Sequence, residues 1–279
     1  MSDMFPFWDE IPVTAGKDAV TFQDQGMIEE SRGVILSLFP GIGMMDRGFE
    51  QAGFTVVRGP DLIFGGDIRR FHAPKGCAVG IIGGPPCQQF SRANRNPDHE
   101  AGVEMLREYL RIVTECGPEW FLIENVPCVP DVELTGYTVQ RLDLCASECG
   151  LTQRRLRHFQ FGSLDGVSIS PIRQPKPEKL DPTCLASDGN KGKDWERFCE
   201  LQGMPKGFDL PGWSKSAKYR AVGNGVPPPM AETMARAILS RGKNQVRLCG
   251  CDCGRTVTGN AIYALPRCRK KMERKRRAA

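Results

Sequence analysis

Short apolar runs, each closed by glycine, proline or a carboxylate, recur along most of this chain. Val34-Ile35-Leu36-Ser37-Leu38, Thr55-Val56-Val57-Arg58, Ala78-Val79-Gly80-Ile81-Ile82 and Trp120-Phe121-Leu122-Ile123 are rich in β-branched or aromatic residues and too short for buried helices, so they predict strands. Residues 141–146 and 158–162 predict two more. Between these runs the apolar spacing changes to three and four. Met44, Met45, Phe49 and Ala52 mark one helical face, and Val103, Leu106, Leu110 and Val113 mark a second that ends near Gly117-Pro118. Residues 195–202 predict a third helix. Met230, Met234, Ala237 and Ile238 form the apolar face of a closing helix, opened by prolines that suit a first turn. Strands alternating with helices predict an α/β fold.

The same pattern divides the chain. Residues 1–32 lack periodicity and read as a leader, and 33–163 form the core. Residues 164–192, rich in Pro, Ser, Lys and Asp, read as a connecting region, 193–242 as the second part of the core, and 243–279 as a Cys-rich basic tail.

Chemistry is expected where loops leave the carboxyl ends of strands. The stretch after the third run, Gly83-Gly84-Pro85-Pro86-Cys87-Gln88-Gln89-Phe90-Ser91, lets backbone approach a ligand at its glycines and is stiffened by its prolines. Cys87 is there either a buried structural thiol or a nucleophile on a stiff loop. The first run ends in Phe39-Pro40-Gly41-Ile42-Gly43. The third glycine of a dinucleotide fingerprint is absent, with Asp46 in its place, so a dinucleotide is not favoured, whereas a cofactor with a small charged end is. Glu124, at the end of the fourth run, is either a structural carboxylate capping a loop or an acid–base group, because burying it unpaired is costly. Arg155 and Arg157 fall on one side of an extended segment, as a solvated edge or a phosphate contact. His158 reads as structural. In residues 219–229 the glycines and asparagine, Gly223-Asn224-Gly225, read as a tight turn before the closing helix.

Composition narrows the setting. The 279 residues suffice for one large domain with a small appendage, no apolar run is long enough to span a bilayer, and the N-terminus lacks the pattern of a secretory signal. Twelve cysteines without such a signal predict free thiols or metal ligands in a reducing, cytoplasmic compartment. Cys249, Cys251, Cys253 and Cys268 could supply four thiolates to a structural zinc, or belong to a reduced, flexible tail. The net charge of +5 conceals a run of eight arginines and lysines against one acid between Arg267 and Arg277, either a phosphate-contacting arm or a solvated tail.

The nonamer around Cys87 resembles the catalytic loop of the cytosine-C5 DNA methyltransferases, in which Pro-Cys-Gln is followed closely by Phe-Ser. Glu124-Asn125-Val126 resembles their second catalytic signature, Leu38-Phe39-Pro40-Gly41-Ile42-Gly43 their S-adenosylmethionine loop, and Gly223-Asn224-Gly225-Val226-Pro227 their last signature. The resemblance runs from Val34 to about Leu239. It implies a Rossmann-like methyltransferase fold with a mostly parallel, helix-flanked sheet, and methyl transfer from S-adenosyl-L-methionine to cytosine C5 in double-stranded DNA. Cys87 is implied as the nucleophile and Glu124 as the group engaging cytosine N3, with Arg155 bracing the site and Arg157 donating to the base or its backbone. Phe39, Gly41, Gly43, Asp61, Asp67, Pro86, Asn224 and Val226 are implied as cofactor contacts. Asp61 stands only near the usual ribose-binding position, after Gly59-Pro60, and the helix found there in the family is missing. Residues 164–192 leave a very small target-recognition region. A monomer is expected. An RNA cytosine-C5 methyltransferase and a non-catalytic DNA-binding relative are the alternatives.

Overall fold

The computed structural model describes residues 33–86, 90, 98–241, 247–248, 251, 256–257 and 265–278. The leader, Cys87, Cys249 and Cys253 lie outside the described residues.

Six strands make one sheet: β1 (Val34–Leu38), β2 (Thr55–Arg58), β3 (Gly80–Gly83), β4 (Trp120–Asn125), β5 (Thr138–Cys145) and β6 (Leu156–Ser163). Their spatial order is β2-β1-β3-β4-β6-β5. The first four are parallel, whereas β6 runs antiparallel to both β4 and β5. Every residue of β3 and β4 is buried, which is why these strands read as unbroken apolar runs. Strand β2, at one edge, is largely exposed.

Helices α1 (Met44–Gln51), α2 (His99–Cys116), α3 (Trp195–Leu201), α4 (Lys215–Asn224), α5 (Pro228–Leu239) and α6 (Pro266–Ala278) complete the main elements with a two-stranded ladder of β7 (Arg247–Leu248) and β8 (Thr256–Val257). On one side of the sheet, Ile35, Ile82, Leu122 and Phe159 pack with Phe49 of α1 and with Met230 and Met234 of α5. On the other, Leu38, Ile81, Phe121 and Ile123 pack with Tyr109 and Val113 of α2. Tyr109 keeps its buried hydroxyl satisfied at the Ile81 and Leu122 carbonyls, 3.0 and 3.1 Å away. A third cluster joins Met44 to Phe198, Leu201, Tyr219 and Val222 of the α3–α4 lobe. Buried amides tie that lobe to the sheet. Gln153 donates to Gln202 at 2.7 Å, and Gln202 donates to the Val222 carbonyl at 2.6 Å.

One expectation needs correction. Gly223 and Asn224 are not in a tight turn but end α4, because Ser214 caps the helix by accepting from the Ala217 N–H and the Lys, Ala and Arg residues that follow are good helix formers. The turn comes one residue later, at Gly225. Among its described residues the tail holds β7, β8 and α6. The expected gap after β2 is present: only short 3₁₀ turns, Leu62–Phe64 and Ile68–Arg70, lie between β2 and β3.

Candidate active site

Strand register brings three loops together. Leu38 pairs with Gly83 and Gly83 with Ile123, so Phe39, Gly84 and Glu124 leave three adjacent parallel strands side by side. They border a cavity of about 580 Å³, closed opposite by α4 and its flanking residues through Trp213, Arg220, Asn224 and Val226.

The first loop is shaped by backbone. Phe39, Gly41 and Gly43 all have positive φ, at 54°, 55° and 77°; the conformation is strained at Phe39 and easy at the glycines. A Cβ on Gly43 would also stand 2.5 Å from Nη2 of Arg58. Arg58 is held by Asp46, Nε to Oδ2 at 2.8 Å, while the Ser37 hydroxyl donates to Asp46 Oδ1 at 2.5 Å. Asp46 is thus a buried tie between α1, β1 and β2. Burial pushes its pKa up, against the lowering pull of Ser37 and Arg58.

Asp61 caps the first 3₁₀ turn by accepting from the Ile63 N–H and turns its other oxygen to the Gly41 N–H, both at 2.8 Å. The carboxylate after β2 therefore does reach the glycine loop in spite of the missing helix. Asp67 also lines the cavity, with its carboxylate drawn onto the Arg69 guanidinium at 2.9 Å, which lowers its pKa.

The second loop is clamped from β4. Asn125 donates to the Pro85 carbonyl at 3.1 Å and accepts from the Val126 N–H at 2.9 Å. Pro86 lines the cavity and is the last described residue before Cys87. Gly84 makes room for Glu124: a Cβ on it would lie 3.1 Å from Glu124 Oε2. Glu124 and Phe159 are register partners on one face of the sheet, and Arg157, two residues along β6, shares that face. Its Nε meets Glu124 Oε1 at 2.9 Å, with both side chains largely buried. Burial raises the Glu124 pKa above the ordinary carboxylate range, opposed by Arg157 and then Arg155.

Arg155 is fully buried and donates to the carbonyls of Cys184, Gly223 and Gly225 at 3.1, 3.0 and 2.9 Å. It grips the segment around Asn224. His158 lies across the ladder from Asp143, its Nδ1 2.8 Å from that carboxylate. In the tail, Cys251 and Cys268 are buried, and no group of three or more metal-ligating side chains occurs among the described residues.

Sequence reasoning missed Arg58, Trp213, Ala217, Arg220 and Ala221. The last three, with Asn224, follow the i, i+3, i+4, i+7 pattern of one helical face and become readable once α4 is recognised.

Comparison with known proteins agrees with this geometry. Residues 65–187 match the family model of the C-5 cytosine-specific DNA methylases. The chain is 32% identical over 184 residues to the type II methyltransferase M.AgeI of Thalassovita gelatinovora, covering 52% of this chain and 42% of that protein. It is also 32% identical over 176 residues to M.FnuDI of Fusobacterium nucleatum, covering 51% and 50%. The matches thus span about half the length of these relatives. Among solved structures, the Entamoeba histolytica methyltransferase EhMeth superposes with a TM-score of 0.56 at 12% identity, covering 74% of this chain and 98% of that one, a likeness of fold. The segment at 65–187, which holds Gly84, Glu124, Arg155 and Arg157, is similar to the C-5 cytosine-specific DNA methylases.

Proposed function

We propose that this protein is a DNA (cytosine-5-)-methyltransferase, using S-adenosyl-L-methionine to methylate C5 of a cytosine swung out of double-stranded DNA. The observation that carries the reading is the buried Glu124–Arg157 pair set beside the clamped Pro85-Pro86 loop on one wall of a cavity whose other wall is a glycine turn.

The cavity suits the methyl donor. Its glycine loop offers backbone at close range, Asp61 offers a carboxylate to a ribose diol, and Asp67, drawn onto Arg69, keeps acceptor capacity for an adenine amino group. Phe39, Gly41, Gly43, Pro86, Asn224 and Val226 are assigned to the same ligand. The donor, when bound, supplies an electrophilic methyl on a sulfonium.

The chain's own groups do the rest. A cytosine inside the stack cannot present C5 and C6, so it is extruded. Cys87 adds to C6 as thiolate while Glu124, whose pKa burial raises, engages N3 and Arg157 holds the carboxyl in place. Addition makes C5 nucleophilic; after methyl transfer a base takes the C5 proton, the C6–S bond breaks and Cys87 leaves as thiolate. Arg155 fixes Asn224 against the cavity.

Residues 33–163 with 193–242 form the catalytic core in this reading, and 164–192 connect and contact the target. The protein acts as a cytoplasmic monomer. No helix among the described residues is long and apolar enough to cross a membrane. Cys249, Cys251, Cys253 and Cys268 are assigned to a structural zinc, supported by the burial of the two described members.

Transfer of labelled methyl to unmodified duplex DNA tests the reading, with folded RNA in parallel. Label on DNA cytosine is expected. Label on RNA alone would move the protein to RNA methylation, and label on neither would leave a DNA-binding relative.

A further inference from the structure

The last helix carries a charge density that the rest of the chain does not match. α6 holds eight arginines and lysines against Glu273 in 13 residues. Residues 33–265 carry 28 basic and 25 acidic side chains, and within them the region 164–192 carries four of each. A protein that holds duplex DNA neutralises phosphates with lysine and arginine. The region assigned to target contact has no net charge with which to do so.

α6 has one inward stripe. Cys268 is buried and Met272, one turn on, is half-buried, with half-buried Leu265 just before the helix. Arg267, Arg269, Lys270, Lys271, Arg274 and Lys275 are all exposed. Of these six, only Arg269 is relieved by an ion pair among the described residues, to Glu273 at 3.0 Å. Lys270 with Arg274 and Lys271 with Lys275 stand four apart, where like charges repel and each pair costs a few tenths of a kcal/mol. A polyanion on the outer face offsets that repulsion. A bilayer would not serve, because the inward stripe is narrow and lacks the large apolar side chains by which an amphipathic helix enters a headgroup layer.

We propose that α6 lies on the phosphate backbone of double-stranded DNA and supplies most of the sequence-independent affinity, in place of a larger target-recognition domain. The choice of duplex rests on the function proposed above; the charge argument does not. The test is duplex binding by the full chain, followed by fluorescence anisotropy across a salt series. Wild type is compared with a variant carrying K270Q, K271Q, R274Q and K275Q, and with one carrying K270R, K271R and K275R, which keeps the charge. Each lost phosphate contact lowers the slope of log affinity against log salt by about 0.9, so the glutamine variant is expected to lose about 3 to 4 in slope. Its KM for DNA is expected to rise at least tenfold at unchanged kcat, and the arginine variant to behave as wild type. An unchanged slope and KM would overturn the proposal, as would a slope that falls for folded RNA but not for duplex DNA. If the wild-type slope depends on α6 and no methyl is transferred, the catalytic reading fails and this one stands.

Discussion

Two buried carboxylates sit near the carboxyl ends of parallel strands, Asp46 just after β1 and Glu124 on β4, and each is paired with an arginine. Asp46 has Arg58 at 2.8 Å and Glu124 has Arg157 at 2.9 Å; burial raises the pKa of both. They differ in what fills the second oxygen. Asp46 receives Ser37 there, so both oxygens are spent on protein partners and the group ties α1 to the sheet. Glu124 turns its second oxygen toward Gly84, a residue without a side chain, on the wall of the cavity. The same ion pair is a structural tie where it is saturated and a chemical group where a ligand can complete it.

Replacing the two carboxyls separately is expected to give opposite balances of activity and stability. Glu124→Gln is expected to lower kcat by about 10²–10⁴-fold with little change in thermal unfolding, as for the loss of a general acid. Arg157→Ala should cost about 3–5 kcal/mol of stability if Glu124 stays charged, since it strands a buried charge, and less if the carboxyl takes up a proton. Denaturant titration at pH 5 and pH 8 separates these cases: the loss should be larger at pH 8.

Asp46→Asn should act the other way from Glu124→Gln. It is expected to cost about 1–2 kcal/mol of stability, because Arg58 is half exposed and its share of the pair is screened, while turnover per folded molecule changes little. Gly84→Ala is the mildest change. A Cβ 3.1 Å from Glu124 Oε2 requires a shift of a few tenths of an ångström, and a fall in kcat of roughly tenfold or less is expected at nearly unchanged stability.

The raised pKa values carry a sign. A carboxyl whose folded pKa lies above its unfolded one contributes most below the unfolded value, and that contribution is lost as pH rises through the folded value. For Glu124 the loss begins near pH 4.5, its ordinary value, and proceeds upward. Thermal melts of wild type should therefore decline more steeply between pH 5 and neutrality than those of Glu124→Gln; parallel curves would contradict the raised value.

What could be read from the sequence follows what each residue buries. β3 and β4 were legible because every residue in them is covered, and the loops at their ends followed from that placement. Glu124 was legible as a carboxylate at the end of such a strand. Helix α4 was not, since Gly223 and Asn224 imitate a turn and the cavity-facing Ala217, Arg220 and Ala221 blur its apolar face. The roles of Arg58 and Asp46 were also hidden, because 12 residues separate them and only the β1–β2 register brings them together. Asp61 could be named as the nearest carboxylate, but its bond to Gly41 depends on a 3₁₀ turn that no periodicity announces.

The most direct measurement of the central claim is covalent trapping. A duplex with 5-fluorocytosine at the target cannot release a proton from C5 after methyl transfer, so the bond from C6 to the attacking sulfur should persist. Incubated with S-adenosyl-L-methionine and digested, wild type is expected to yield one peptide adduct at Cys87, with none from Cys87→Ala and far slower formation in Glu124→Gln. An adduct on another cysteine, or equal trapping in Cys87→Ala, would contradict the account.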